Sequence, residues 1–304
     1  MATPFPFAPP PAGARIPSLS TYKADEVAEV LRWAIERYTG KPAIPTQTAL
    51  GRWYATMASP PQSPPAVPPS PPPANAAQIQ RVGLYDFREA LKLAWSLGVL
   101  HATRHRVTIS KNAIEDLLES DNSTTDLPMP SGTGTLYQAA RLLQAGGGSI
   151  EVFGRESKGR DMLWRPAGGG RASIERKDRA FFQTFDPSKA DRFFKDKLVE
   201  ASEGLPEDGS ARIVSIGYST TITEAAQLQA TFKERILKFV RGSPAKVWPD
   251  AAYGAFVGYE VRNGVEDAVD KGIFVPLMRK GFRQRDAFTA VAAAFKKAYP
   301  VRSP

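Results

Sequence analysis

Glu156-Ser157-Lys158 has the E-x-K spacing of metal-dependent nucleases, in which a carboxylate helps hold a hard cation beside a phosphodiester. In such enzymes the pair sits on an apolar strand, near a second carboxylate. Here the tripeptide is bracketed by Gly154 and Gly159, which is turn chemistry, and no companion acid stands out. His101 and His105 are the only histidines, and Arg104 and Arg106 beside them disfavour both metal binding and protonation. With no cysteine, the chain has no disulfide, zinc finger, iron–sulfur ligation or thiol nucleophile. The Gly132-Thr133-Gly134-Thr135 run precedes a helix but lacks both the GxxxxGK[ST] spacing and the third glycine of GxGxxG. These residue types predict no enzyme, no metal site and no cofactor.

Positive charge is the stronger signal. The 304 residues carry a formal net charge of +9, which biases the chain toward polyanionic partners. The excess concentrates in two stretches. Residues 149–179 hold Arg155, Lys158, Arg160, Arg165, Arg171, Arg176, Lys177 and Arg179, and residues 279–304 hold Arg279, Lys280, Arg283, Arg285, Lys296, Lys297 and Arg302. Arginine forks pair with phosphate, and interspersed glycines allow close backbone approach. The phosphate clamps expected from this pattern are Arg155, Lys158, Arg160, Arg171, Arg176, Lys280, Arg283 and Arg285. Phe153, Trp164 and Tyr299 are candidates for stacking on unpaired bases, though the helical spacing of Phe288, Phe295 and Tyr299 assigns that trio to packing.

The elements that would carry these residues read as follows. Residues 1–20 form an extended proline-rich arm and residues 21–57 a helical arm, with Val27, Leu31 and Ile35 on one apolar stripe. Residues 58–80 form a proline-rich linker, in which positions 60–73 hold nine prolines in fourteen residues. A core domain follows over 81–278, then a basic C-terminal segment over 279–304. In the core, Asp86–Val99, a short helix after Ser110, and Thr135–Ala145 are helical. Asp186-Pro187 opens another helix, and the Thr221/Glu224 capping box starts the best-defined one. Ile150–Val152 with Met162–Trp164 suits a hairpin, and Ile213–Tyr218 a strand. Asp250–Val269 is Ala-rich and reads as two helical pieces broken near Gly264. The fold class expected is mainly α: a helical core with a small β-hairpin and strand component. With no long apolar run and no signal-like N-terminus, a soluble, non-secreted protein is expected.

Ala, Pro and Ser together make up about 89 of the 304 residues. With the N-terminal proline tracts, the basic balance and the absence of cysteine, this composition resembles the proline-alanine-serine-rich proteins of polymycoviruses. That resemblance implies a protein without enzyme activity that coats viral RNA, found in the virion or host cytoplasm. The function expected is sequence-nonspecific RNA binding with self-assembly, as in a coat or nucleocapsid protein, with Val27, Leu31 and Ile35 exchanged between copies. Two alternatives stand beside it. Leu136–Trp164, a helix followed by a hairpin with a basic tip, is similar to the recognition helix and wing of winged-helix DNA-binding regulators or replication proteins. The proline tract suits SH3-like or WW-like grooves.

Overall fold

Ala211–Thr220 is buried at every residue, so it needs a strand on each edge and a layer of side chains on each face. The computed structural model supplies both. It describes residues 24–40, 76–115, 131–154, 159–180, 186–244, 248–262, 265–277 and 285–298. Along the chain these form α1 (Ala24–Thr39), α2 (Ala76–Ala102), a 3-10 turn (Arg104–Arg106), β1 (Val107–Ile109), α3 (Lys111–Glu115), α4 (Ser131–Gly146), β2 (Ser149–Val152), β3 (Met162–Arg165) and β4 (Ala172–Ala180). Then come α5 (Pro187–Gly204), β5 (Ala211–Thr220), α6 (Ile222–Gly242), β6 (Ala251–Arg262), β7 (Val265–Pro276) and α7 (Arg285–Ala298).

The seven strands make one mixed sheet whose spatial order is the chain order. β1 and β2 are parallel, β3 runs antiparallel to both its neighbours, β4, β5 and β6 are parallel, and β7 returns antiparallel beside β6. The connections β4–α5–β5 and β5–α6–β6 are crossovers of the kind that parallel pairs require. Both helices pack on one face, where Phe194, Leu198, Leu228, Phe232 and Ile236 meet Val214, Ile216 and Phe256. The opposite face, where Ile174, Ile213 and Tyr253 point, is covered by α1, α2, α4 and α7. The architecture is a three-layer α/β/α sandwich.

This corrects the mainly α expectation. The Ala-rich stretch from 250 onward is not two helical pieces but β6 and much of β7, paired from Ala251↔Pro276 to Arg262↔Val265. Its small residues reflect a strand covered on both sides, which loses the alternating pattern of a half-exposed strand and reads as a continuous apolar run. Asn263 and Gly264 lie outside the described residues, but as a sequence they are the Asn-Gly pair that tight hairpins favour. β4 was likewise read only as part of a basic stretch.

Several elements agree with the sequence reading. Asp186 caps α5 by accepting from the Ser188 and Lys189 amides, with Pro187 in the first turn. Thr221 and Glu224 form the reciprocal box at α6. Phe288, Val291 and Phe295 of α7 are buried, with Phe295 edge-on to Trp164 at 5.7 Å. The arm helix α1 belongs to the same core: Val27, Leu31 and Ile35 are each 1% exposed, and α1 packs on α2 and α3 of its own chain. The proline-rich arm, 1–20, and residues 58–75 of the linker expected over 58–80 lie outside the described residues, whereas 76–80 already belong to α2. Among the described residues no helix is long and apolar enough to cross a membrane.

Candidate active site

β4 has the sequence Ala172-Ser173-Ile174-Glu175-Arg176-Lys177-Asp178-Arg179-Ala180. A strand sends alternate side chains to opposite faces, so its five charged residues divide between two environments. Arg176 and Asp178 turn to the four-helix face and Glu175, Lys177 and Arg179 to the face of α5.

On the four-helix face the charges are closed off. Arg176 and Asp178 have side chains only 2% exposed and form a two-pronged pair, with Arg176 Nη2 to Asp178 Oδ1 at 2.7 Å and Nε to Oδ2 at 2.8 Å. Arg176 Nη1 also donates to Gln138 Oε1 of α4 at 3.0 Å. Glycine makes the room: a Cβ on Gly134 of α4 or Gly217 of β5 would run into the Asp178 carboxylate. Gly132–Thr135 is therefore the buried first turn of α4 facing a protein carboxylate.

On the α5 face the charges gather at a half-buried, solvent-reaching cluster. Lys177 Nζ bonds Glu175 Oε1 at 2.8 Å and lies 3.4 Å from Glu200 of α5, which Lys197 also engages. Asp161 immediately precedes β3. The antiparallel register Met162↔Ile174 carries it alongside Glu175, and its Oδ2 accepts the Arg176 amide N–H at 2.6 Å. The strand thus holds a second carboxylate against the first, next to a lysine.

The electrostatics follow from this crowding. Burial, then the like charge of Glu175, push Asp161 up to about 7, against the opposing pull of the Arg176 amide and Lys177. Burial would lower Lys177, but the hydrogen bond and charge of Glu175, with Asp161 and Glu200 behind it, outweigh that and hold the ammonium charged. Lys197 holds Glu200 below the usual carboxylate range. Two abutting carboxylates, whose crowding raises the proton affinity of Asp161, form an all-oxygen donor set whose mutual repulsion a hard divalent cation would relieve. Among the described residues no cluster of three or more carboxylate, histidine or cysteine ligands occurs. Mg²⁺ does not need one, because one or two carboxylates, water and substrate phosphate complete its shell.

The placement of the expected residues differs from the sequence reading. Glu175-Arg176-Lys177 has the E-x-K spacing on a strand with a companion acid, which is the setting sought at Glu156–Lys158. The latter tripeptide lies outside the described residues, as do Arg155, Lys280 and Arg283. Arg285 opens α7. Arg160 and Arg171 meet at Asp208: Arg160 Nη1 bonds its carboxylate at 2.8 Å and Ser173 Oγ at 3.1 Å, while Arg171 donates to its backbone carbonyl. Burial alone would raise Asp208, but Ser210 and Arg160 bring it down to about 2. Arg176 is buried and fully engaged, so it is no phosphate clamp. A net charge count cannot separate the two faces of a strand.

Trp164 is buried, with Nε1 donating to the Gly147 carbonyl at 3.1 Å, which removes it as a stacking platform. Phe153 lies under the Arg160 guanidinium, 5.3 Å from ring centroid to Cζ, and Tyr299 lies outside the described residues. His101 sits edge-on to Trp33, lowered by burial and then by Arg104 and Arg37. α4 is buried from Gly132 to Ala140 and β2–β3 is an interior pair of the sheet, so among the described residues this helix and hairpin are core elements; the basic tip expected at the wing, 155–158, lies outside them. Sequence reasoning missed Asp161, Glu175 and Lys177. The available signal was an acid at the head of the apolar run Met162–Trp164 and a second E-x-K run following Ile174.

No family model, no curated protein and no solved structure matches the chain.

Proposed function

We propose that the chain is a divalent-cation-dependent phosphodiesterase acting on nucleic acid, with Asp161, Glu175 and Lys177 as its catalytic residues. The observation that carries this reading is the β3–β4 register, which sets the Asp161 carboxylate beside Glu175 and Lys177 in a half-buried site. Asp161 and Glu175 would hold Mg²⁺ or Mn²⁺. Such an ion lowers the pKa of bound water and neutralises phosphate charge. The protein's own groups do the positioning. The Arg176 amide fixes one Asp161 oxygen, and Glu200 steadies Lys177 from α5.

Because its carboxylate neighbours keep Lys177 protonated, its role is electrostatic: it meets the negative charge that builds on the phosphoryl oxygens, and it is not the base. Water adds to phosphorus, the bond from phosphorus to the leaving oxygen breaks, the attacking water's proton passes to solvent and the leaving alkoxide takes a proton from solvent. The net charge of +9 supports a polyanionic substrate.

The coat reading shares the nucleic-acid partner but needs no chemistry, and one experiment separates the two. Purified protein is incubated with end-labelled single- and double-stranded DNA and RNA, with Mg²⁺, with Mn²⁺ and with EDTA. Cleavage that needs the cation and falls at least about 100-fold in Glu175→Gln and Lys177→Ala, in variants whose circular dichroism is unchanged, supports the proposal. Binding of every substrate without cleavage, accompanied by filaments or regular particles in negative-stain images, overturns it in favour of the coat.

A further inference from the structure

Away from the catalytic cluster, cations converge where one end of the sheet meets several helix ends. β1 and β2 are parallel, so Arg106, immediately before β1, stands beside the start of β2. Its guanidinium reaches the end of α4: a Cβ on Gly147 would stand 3.8 Å from Arg106 Nη1 and 3.5 Å from Ala167 of the β3–β4 turn. α7 ends at the same place, since a Cβ on Gly146 would stand 2.9 Å from Ala294, and Lys297 follows one turn on. α1 adds another cation. His101, in the last turn of α2, is edge-on to Trp33 of α1 at 5.1 Å, accepts from Arg104 Nη1 at its carbonyl at 3.3 Å, and lies within the field of both Arg104 and Arg37.

Arg37, Arg104, Arg106 and Lys297 are exposed, and among the described residues no carboxylate pairs with any of them. Arg160, Arg165, Arg176 and Lys177, by contrast, are each matched by an acid. The acids at these same element ends are Glu36 and Glu151, and Glu151 is taken by Arg165. Cations favour helix C-termini, but four on one rim against so few acids leave a local excess that an external polyanion would match. The adjoining turn is open: nothing lies within 4 Å of where a Cβ on Gly168 or Gly169 would stand, so a phosphodiester track can come close to the backbone.

Resting on the phosphodiesterase reading for the class of polymer, we infer that this rim is a second nucleic-acid surface, which holds the sugar–phosphate backbone at Arg37, Arg104, Arg106 and Lys297 while cleavage takes place at Asp161 and Glu175. Asp161 and Arg165 bracket β3, about 13 Å apart at roughly 3.3 Å per residue. An isolated diester at the carboxylates therefore cannot also touch the rim, whereas a polymer can. The contacts are to phosphate, so the surface does not read sequence.

The test uses the full chain in EDTA, where binding is read without turnover. A labelled, mixed-sequence single-stranded oligonucleotide is titrated over a range of salt with wild type and with Arg37→Gln/Arg106→Gln/Lys297→Gln. The control is Lys233→Gln/Lys238→Gln/Arg241→Gln, which removes the same charge from the exposed side of α6. Loss of three phosphate contacts lowers the slope of log K against log salt by about 2, at roughly 0.7 per contact on a single strand, and raises Kd tenfold or more. The α6 variant stays within about twofold of wild type, and Arg37→Lys/Arg106→Lys, which keeps both charges, retains the wild-type slope. An unchanged slope in the rim variant, an equal drop in the α6 variant, or a slope lost in the lysine variant overturns the inference even if cleavage is observed. A slope lowered only in the rim variant of a protein that cleaves no substrate keeps the surface and discards the catalytic reading.

Discussion

Asp178→Asn is the sharpest probe of how the site is held in place. The substitution keeps the shape of the side chain while removing its charge, leaving the Arg176 guanidinium in an environment where both side chains are 2% exposed. Arg176 keeps Gln138 at 3.0 Å and a long contact to Ser215 at 3.5 Å, neither of which is anionic. Breaking a buried pair by removing one partner costs about 3–5 kcal/mol, equivalent to roughly 6–20 °C in Tm for a domain of this size. Removing both charges in Arg176→Met/Asp178→Ala is expected to be less damaging than the sum of the two single changes, with a coupling above about 1.5 kcal/mol. Urea unfolding followed by circular dichroism measures all four proteins. A cost below about 1 kcal/mol for Asp178→Asn, or strict additivity in the cycle, would mean that the pair is not buried as described.

Three other outcomes are expected. Burial and then the charge of Glu207 raise Asp250 to about 7, so its neutral form is favoured in the folded state. That contribution is fully present below the unfolded value near 4 and is lost as pH rises toward 7, with a ceiling of about 4 kcal/mol. Thermal melts of wild type between pH 5 and 8 should fall, Asp161 adding a fall of the same sign over the same range, and Asp250→Asn should make the curve shallower; a fall as steep in the variant as in wild type would assign the effect elsewhere. Leu31→Ala, in the core between α1 and its own chain, should cost about 2–5 kcal/mol with a Tm independent of protein concentration. A Tm that climbs with concentration would instead mean that α1 is exchanged between copies. Mg²⁺ or Mn²⁺ should raise the Tm of wild type by mass action but not that of Asp161→Asn/Glu175→Gln, and an equal rise in both proteins would place the ion elsewhere.

How far residues alone reach is clear from particular elements. Helices with chemical end signals were found from the sequence: Asp186-Pro187 for α5, Thr221 and Glu224 for α6, and the glycines Gly147 and Gly148, both at positive φ, after α4. The β2–β3 pair and β5 were visible as apolar runs. β6 and β7 were not, because Ala, Gly and Val on a doubly covered strand carry no period that excludes a helix. The extent of the sheet follows from pairing between segments far apart in the chain, and local propensity does not report it.

The site escaped for a related reason. Glu175 and Lys177 were counted with Arg176 as one block of charge, although a strand sends Arg176 into the core and its neighbours to the opposite side. Asp161 becomes their companion only through the Met162↔Ile174 register, fourteen residues away in sequence from Glu175. The tripeptide at 156–158 offered the same spacing without that context. A charge count from composition does not separate Arg160, tied to Asp208, from Arg176, inside the core.

The most direct measurement is the single-turnover rate of phosphodiester cleavage by wild type and Glu175→Gln, with Mg²⁺ and with EDTA, on a uniformly labelled oligonucleotide. The account requires cation-dependent cleavage by wild type that Glu175→Gln abolishes while still binding the oligonucleotide. Intact oligonucleotide in every wild-type reaction, or cleavage at the same rate in the folded Glu175→Gln protein, would contradict it.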